Sequence, residues 1–212
     1  MKTLVIGDLH GQHELVDLAL KHGFPVVFLG DYLDSFNRTP EDCILTLIKV
    51  LAAVRQGKAQ ALLGNHELSY LENKVMGCSG FRKETAAMLL CLDISSLKSY
   101  IYSEGFLLTH AGVSQDLLDA LDTSLEDYLE DKQYNQIGYE RGGYDKAGGL
   151  YWNDWRYFKP LVDVPQIVGH SRGRDIRKTG NSYCIDCLED TNPRGLLIEN
   201  GVAEMYEFGQ PL

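Results

Sequence analysis

Five short apolar runs in this chain end in the same kind of polar turn. "KTLVI" runs into "GDLHG" (residues 7–11), "PVVFL" into "GDYLD" (30–34), "AQALL" into "GNHE" (64–67), "GFLL" into "THAG" (109–112) and "PQIV" into "GHS" (169–171). Such short runs, bounded by glycine, read as buried strands. Between the first four lie helix-like patterns: "QHELVDLALKH", "PEDCILTLIKVLAAVRQG" and the stretch through "KETAAMLLCL". Strands alternating with helices predict βαβ units and a largely parallel sheet. In open α/β sheets the ligand crevice lies outside the carboxyl ends of the strands. The five ends would therefore bring Asp8, His10, Asp31, Asn65, His66, His110 and His170 to one rim, and four of the chain's six histidines stand there.

Those residue types are the ordinary oxygen and nitrogen ligands of divalent metals. In "GDLHG" an extended backbone would project Asp8 and His10 to the same face, and the glycines permit a sharp turn and close approach. A plain strand-to-helix loop, with Asp8 or a neighbour capping a helix that begins near Gln12, accounts for one such motif. It does not account for five. His13 and His22 fall in the first helical pattern, where surface positions suffice for them.

The C-terminal quarter reads differently. "SYCID", "RGLLIE" and "VAEMYEF" are separated by turn-rich segments, and Asn200–Gly201 is a strong hairpin signal. A meander forming a second sheet on the first is the expectation. "QDLLDALDTSLEDYLEDK" (115–132) has leucines at helical spacing and reads as a helix with a solvated acidic face. Residues 132–149, rich in glycine and tyrosine, are too long for an ordinary connection and read as a functional loop or lid. No composition shift marks a linker, so residues 1–212 are expected to form one domain.

The formal charge of −10 argues against a nucleic-acid polymer as partner. No apolar run is long enough for a membrane span, and "MKTLVIGDLHG" makes a poor signal peptide. A cytoplasmic protein with reduced thiols is expected. Of the five cysteines, Cys184 and Cys187 form a lone CxxC. It lacks the second ligand pair that structural zinc requires. As part of a strand, "SYCIDCLED" would put the two thiols on opposite faces.

The ordered set "GDLHG…GDYLD…GNHE…THAG…GH" resembles the calcineurin-like metallophosphoesterases. Within them it is most similar to the phosphoprotein (Ser/Thr) phosphatases and their short bacterial and phage relatives, diadenosine tetraphosphatases included. "GF" at 80–81 and "LYWND" at 150–154 extend the likeness over most of the chain. The resemblance implies an α/β fold, a β-sandwich flanked by helices in four αββα layers. It implies two divalent metal ions, the first on Asp8 and His10, the second on Asn65, His110 and His170, with Asp31 bridging both. Oxygen and imidazole ligands suit manganese, iron or zinc better than magnesium alone, and manganese is the expected working ion. By the same resemblance a metal-bridging hydroxide attacks phosphorus in line. His66 is then the general acid for the leaving group, and Asp34 orients it and keeps it charged. Glu67 has a supporting part.

One position departs from the family. Phosphoprotein phosphatases continue "GDYVDRG", the arginine gripping the substrate phosphate; here Ser35 stands in that place. Arg38, Arg82 and Arg156 are the substitutes the sequence offers. The expected activity is phosphomonoester hydrolysis on a phosphorylated protein or small phosphoester. The alternative is hydrolysis of dinucleoside polyphosphates or cyclic nucleotides at the same site. A non-catalytic scaffold would have no need of His66.

Overall fold

The computed structural model of the protein describes residues 1–71, 78–131, 149–187 and 193–208. Its first half follows the predicted alternation: β1 (Thr3–Ile6), α1 (His13–Lys21), β2 (Val26–Phe28), α2 (Pro40–Arg55), β3 (Ala59–Ala61), α3 (Asn65–Leu71) and α4 (Lys83–Leu89). There follow β4 (Tyr100–Ser103), β5 (Phe106–Thr109), α5 (Gln115–Leu121), α6 (Leu125–Glu130) and β6 (Gln166–Val168). The chain closes with β7 (Arg177–Thr179), β8 (Ser182–Cys184), β9 (Arg194–Glu199) and β10 (Val202–Glu207).

Two mixed sheets result, ordered β10-β9-β1-β2-β3 and β4-β5-β6-β8-β7. Strands β1, β2 and β3 are mutually parallel, as are β5, β6 and β8. The two-residue period of a strand sorts each apolar run between two cores. Leu4, Ile6, Val26 and Phe28 pack outward against α1 and α2, beside Val16, Leu47 and Val50. Val5, Val27 and Leu29 point inward and meet Phe106, Leu108 and Ile167 of the second sheet. Leu107, on the other face of β5, joins Leu117, Leu118 and Tyr128 of α5 and α6. The order is helices, sheet, sheet, helices, the αββα sandwich that the resemblance implies.

Several expectations need correction. The C-terminal meander does not make a sheet of its own: β9 pairs antiparallel with β1 in the first sheet, whereas β7 and β8 complete the second. The Asn200–Gly201 turn does form, both residues having positive φ (50° and 78°), and joins β9 to β10. Residues 115–131 form two helices, because Asp122 takes the left-handed conformation and Ser124 caps a new start. Strand β8 stops at Cys184, and burial pushes the Cys184 and Cys187 thiols up to about 12 and about 11. No side chain caps α1, since Asp8 is engaged elsewhere. The predicted loop at 132–149 lies, apart from Gly149, outside the described residues.

Candidate active site

Four of the five strand-end turns line one cleft of about 300 Å³ at the sheets' carboxyl ends, and the fifth sets the buried His110 behind it, against Asp31. The first three come from β1, β2 and β3, and the backbone of the first two turns left-handed: His10, Asp31 and Asp34 have φ of 41°, 51° and 57°. Left-handed non-glycine residues cost energy and persist only where surroundings fix them. Glu67 fixes the second turn, and the Asp31 carbonyl, accepting the N–H groups of Leu9 (3.0 Å) and His10 (2.8 Å), ties the first turn to it. The buried Glu67 carboxylate accepts the N–H groups of Asp31 (2.9 Å), Tyr32 (2.9 Å), Leu33 (3.1 Å) and Gly64 (3.0 Å). "GNHE" is therefore not only a turn. It opens α3, and the glutamate three residues past Gly64 folds back over "GDYLD".

Asp31 lies at the centre. Its Oδ1 accepts the N–H of His66 at 3.0 Å. Its Oδ2 lies 3.4 Å from His110 Nε2, 3.8 Å from His66 Nε2 and 3.9 Å from His10 Nε2. Burial opposes ionisation here, but the charges of His110 and His66 outweigh it and hold the carboxyl far below the usual range. His10 spends Nδ1 on the carbonyls of Leu33 (3.0 Å) and Asp34 (2.7 Å), which leaves Nε2 facing the cleft. His110 likewise uses Nδ1 on the carbonyl of Leu29 at 2.9 Å. Fixing one ring nitrogen this way presents the other as a ligand.

On the far side, Asn65 Oδ1 lies 2.8 Å from His110 Nε2 and 2.9 Å from His170 Nδ1, so three donors converge on one point. Burial disfavours charge on both rings. The Asp31 carboxylate overcomes this for His110, pushed up to about 9, whereas the His110 charge adds to it for His170, pushed down to about 3. Both Asp8 oxygens accept the His170 N–H, at 3.0 and 2.9 Å. Burial and the neighbouring Asp186 raise the Asp8 pKa well above its ordinary value.

His66 is nearly buried, and its Nδ1 lies 2.8 Å from Asp34 Oδ2. Burial alone would lower its pKa; Asp31 and the Asp34 hydrogen bond raise it instead. Tyr70, one helical turn along α3, donates its hydroxyl to the other Asp34 oxygen. Asp34 is thus clamped between a phenol and an imidazole.

The three arginines suggested by the sequence are engaged elsewhere. Arg38 pairs with Glu14 at 3.1 Å, Arg82 donates to the carbonyl of Ser35 at 3.2 Å, and Arg156 makes a two-pronged bond to Asp154. Sequence reasoning missed Asp186 and Arg172, both lining the cleft. Asp186 is buried, and its carboxylate has no hydrogen-bond partner among the described residues. An isolated acid in the apolar segment "SYCIDC" was the available signal for it.

Buried carboxylates and imidazoles opening on a cleft are the donor set a hydrolytic metal centre needs. Ligand atoms of His10, Asp31 and His66 lie within 4.8 Å of one another, as do those of Asp31, His110 and His170. Asp8, Asp31 and Asp186 share this cleft region without a lysine or arginine salt bridge among the described residues. Buried negative charge of this kind calls for a cation. The residues fit divalent metal.

The pattern of the calcineurin-like phosphoesterases matches residues 1–203, and the chain belongs to that family. It is a phosphoesterase of a family that uses divalent metals. Solved structures share the fold. One is a cold-active protein-tyrosine phosphatase of a psychrophilic Shewanella species (15% identity over 96% of this chain and 80% of that one, TM-score 0.60). Another is a protein serine/threonine phosphatase from Saccharomyces cerevisiae (16%, 100% and 81%, TM-score 0.64). A third is provisionally named diadenosine tetraphosphatase (16%, 99% and 95%, TM-score 0.55). No curated protein sequence matches at a significant level. No helix among the described residues is long and apolar enough to cross a membrane.

Proposed function

We propose that this protein is a dinuclear-metal phosphomonoesterase that protonates its leaving group through His66. The observation that carries the reading is the 2.8 Å His66–Asp34 contact at the edge of the cleft around Asp31. A hydrolytic centre that expels an alkoxide needs a proton donor there; a metal-binding scaffold does not. Asp8, His10 and Asp31 would hold one ion, and Asp31, Asn65, His110 and His170 the other. Two divalent ions, when bound, supply charge neutralisation and an activated water for in-line displacement at phosphorus. Manganese is the ion proposed, since imidazole and oxygen donors are mixed.

The chain's own groups do the rest. Backbone carbonyls hold Nδ1 of His10 and of His110, which turns Nε2 of His10 to the cleft and Nε2 of His110 toward Asp31 and Asn65. Asp34, clamped by Tyr70, fixes the His66 ring and favours its charged form. His66 Nε2 then faces the cleft and can deliver its proton to the departing oxygen.

A second reading, hydrolysis of a dinucleoside polyphosphate, is favoured by an adjoining cleft that shares Trp152, His170 and Arg172 and adds Arg156 and Arg177. That surface would suit a longer polyanion. Turnover of phosphoserine peptide, p-nitrophenyl phosphate, bis-p-nitrophenyl phosphate and diadenosine tetraphosphate with manganese tests both. Preference for the monoesters, abolished by chelator, is the expected result. Preference for diadenosine tetraphosphate selects the second reading, and full turnover in a metal-free protein defeats both.

A further inference from the structure

We infer that Arg172 is the side chain that grips the substrate phosphate, standing in for the charge that Ser35 does not supply. The inference rests on the phosphoesterase reading of the cleft and gives it a substrate-binding residue. A phosphate dianion entering this cleft meets the carboxylates of Asp31, Asp34 and Asp186 in a chain of net charge −10. Side-chain cations are therefore needed beside any bound ions. Among the described residues lining the cleft, Arg172 is the one arginine or lysine.

The surrounding arginines show why it is different. Arg156 is tied to Asp154, Arg177 to the carbonyl of Ser171 and Arg194 to Asp175, and Arg174, unpaired among the described residues, lines neither cleft. The Arg172 guanidinium is exposed, and no hydrogen bond or ion pair from it exists among the described residues. Asp186 feels its charge without a salt-bridge contact. Its backbone, in contrast, is held on both sides. The His170 N–H is pinned on Asp8, the Ser171 hydroxyl bridges the carbonyl of Asn153 (3.2 Å) and the N–H of Trp155 (2.9 Å), and the Gly173 N–H donates to the Asp186 carbonyl (2.8 Å). A fixed stem with an uncommitted head beside His170 suits a residue that closes a fork of N–H donors on phosphate oxygens. Its place where the two clefts meet lets it reach an anion in either.

The test is calorimetric titration of inorganic phosphate into manganese-loaded protein, with KM and kcat for p-nitrophenyl phosphate alongside. Removing a charge-assisted fork should weaken phosphate binding in Arg172→Ala by roughly 10- to 100-fold and raise KM in parallel, with metal content unchanged. Arg172→Lys keeps charge but loses the fork and should fall between. Arg55→Ala, which removes equal charge at the opposite end of α2 from the site loop, should change neither quantity. Wild-type phosphate affinity and KM in Arg172→Ala would overturn the inference. If the wild-type protein turns over no phosphate ester, the hydrolase reading fails, and the phosphate titration still decides the fate of Arg172.

Discussion

The two halves of the cleft are built on different terms. Turns from the first sheet carry His10 and His66, whose side chains are 31% and 11% exposed; the second sheet supplies His110, which is fully buried. The first half owes its shape to left-handed backbone strapped onto Glu67. The second owes its shape to contacts between sheets: His110 reaches the carbonyl of Leu29, and His170 the carboxylate of Asp8. The difference separates a half that presents both its histidines at the cleft from a half that buries His110 and opens on the cleft through the turn of His170 and Arg172. Asp31 faces both, its Oδ2 lying within 3.9 Å of a ring nitrogen of His10, His66 and His110.

That asymmetry makes Asp31→Asn the most damaging change. It removes the shared carboxylate charge, so metal analysis should show both ions weakened and activity should fall to the level seen with chelator. Two retained ions and near-normal turnover would break the picture of a shared centre. His66→Asn should keep its metals yet lose on the order of 10²–10⁴-fold on phosphoserine, the range for general acid catalysis, and clearly less on p-nitrophenyl phosphate, whose leaving group needs little protonation. Asp34→Asn should show the same ordering more weakly. Equal losses on both substrates would mean that His66 positions the phosphate.

The first sheet's half was easier to read in the sequence than its scaffolding was. Glycine-bounded Asp, Asn and His after apolar runs exposed the strand ends, because strand burial and turn chemistry are local properties. The roles that depend on folding back were hidden. Nothing local marks Glu67 as the acceptor of four amides, since its partners lie more than thirty residues away apart from Gly64. The extended pairing of Asp8 with His10 failed because β1 ends at Ile6 and His10 turns left-handed. The arginines depend on folding in the same way: ion pairs within and between loops, such as Arg156 with Asp154, decide which cation remains free. The split of the C-terminal strands between sheets was equally beyond reach, being a matter of which edge each hairpin finds.

Glu67→Gln sharpens the contrast at the level of stability. An amide cannot serve as four-fold acceptor, and losing even two charge-assisted bonds should cost about 3 kcal/mol or more. A denaturant midpoint measures this, and His10 and His66 should be disordered more than His110 in histidine NMR spectra. Thr39→Ala is the mildest test. It removes the capping box that starts α2 just beyond the first half's loop, at about 1 kcal/mol. Hydrogen bonds from Thr39 also hold the Asp42 carboxyl below its ordinary value. That contribution is present above the normal aspartate range and disappears as pH falls through the depressed pKa. The difference between wild type and variant should therefore narrow in acid.

Glu67 has a consequence for how metal and fold are linked. In zinc-finger-like domains the ion is what holds the chain together, and chelation unfolds it. Here the strained turns are set by an internal anion bound to amide groups, so the donor positions are fixed by the polypeptide. Such a host orders little when its ion enters, and stripping the ion should leave circular dichroism almost unchanged. Selection between ions then falls to size and ligand preference, because a stiff cage adapts poorly to a larger or more heavily hydrated cation.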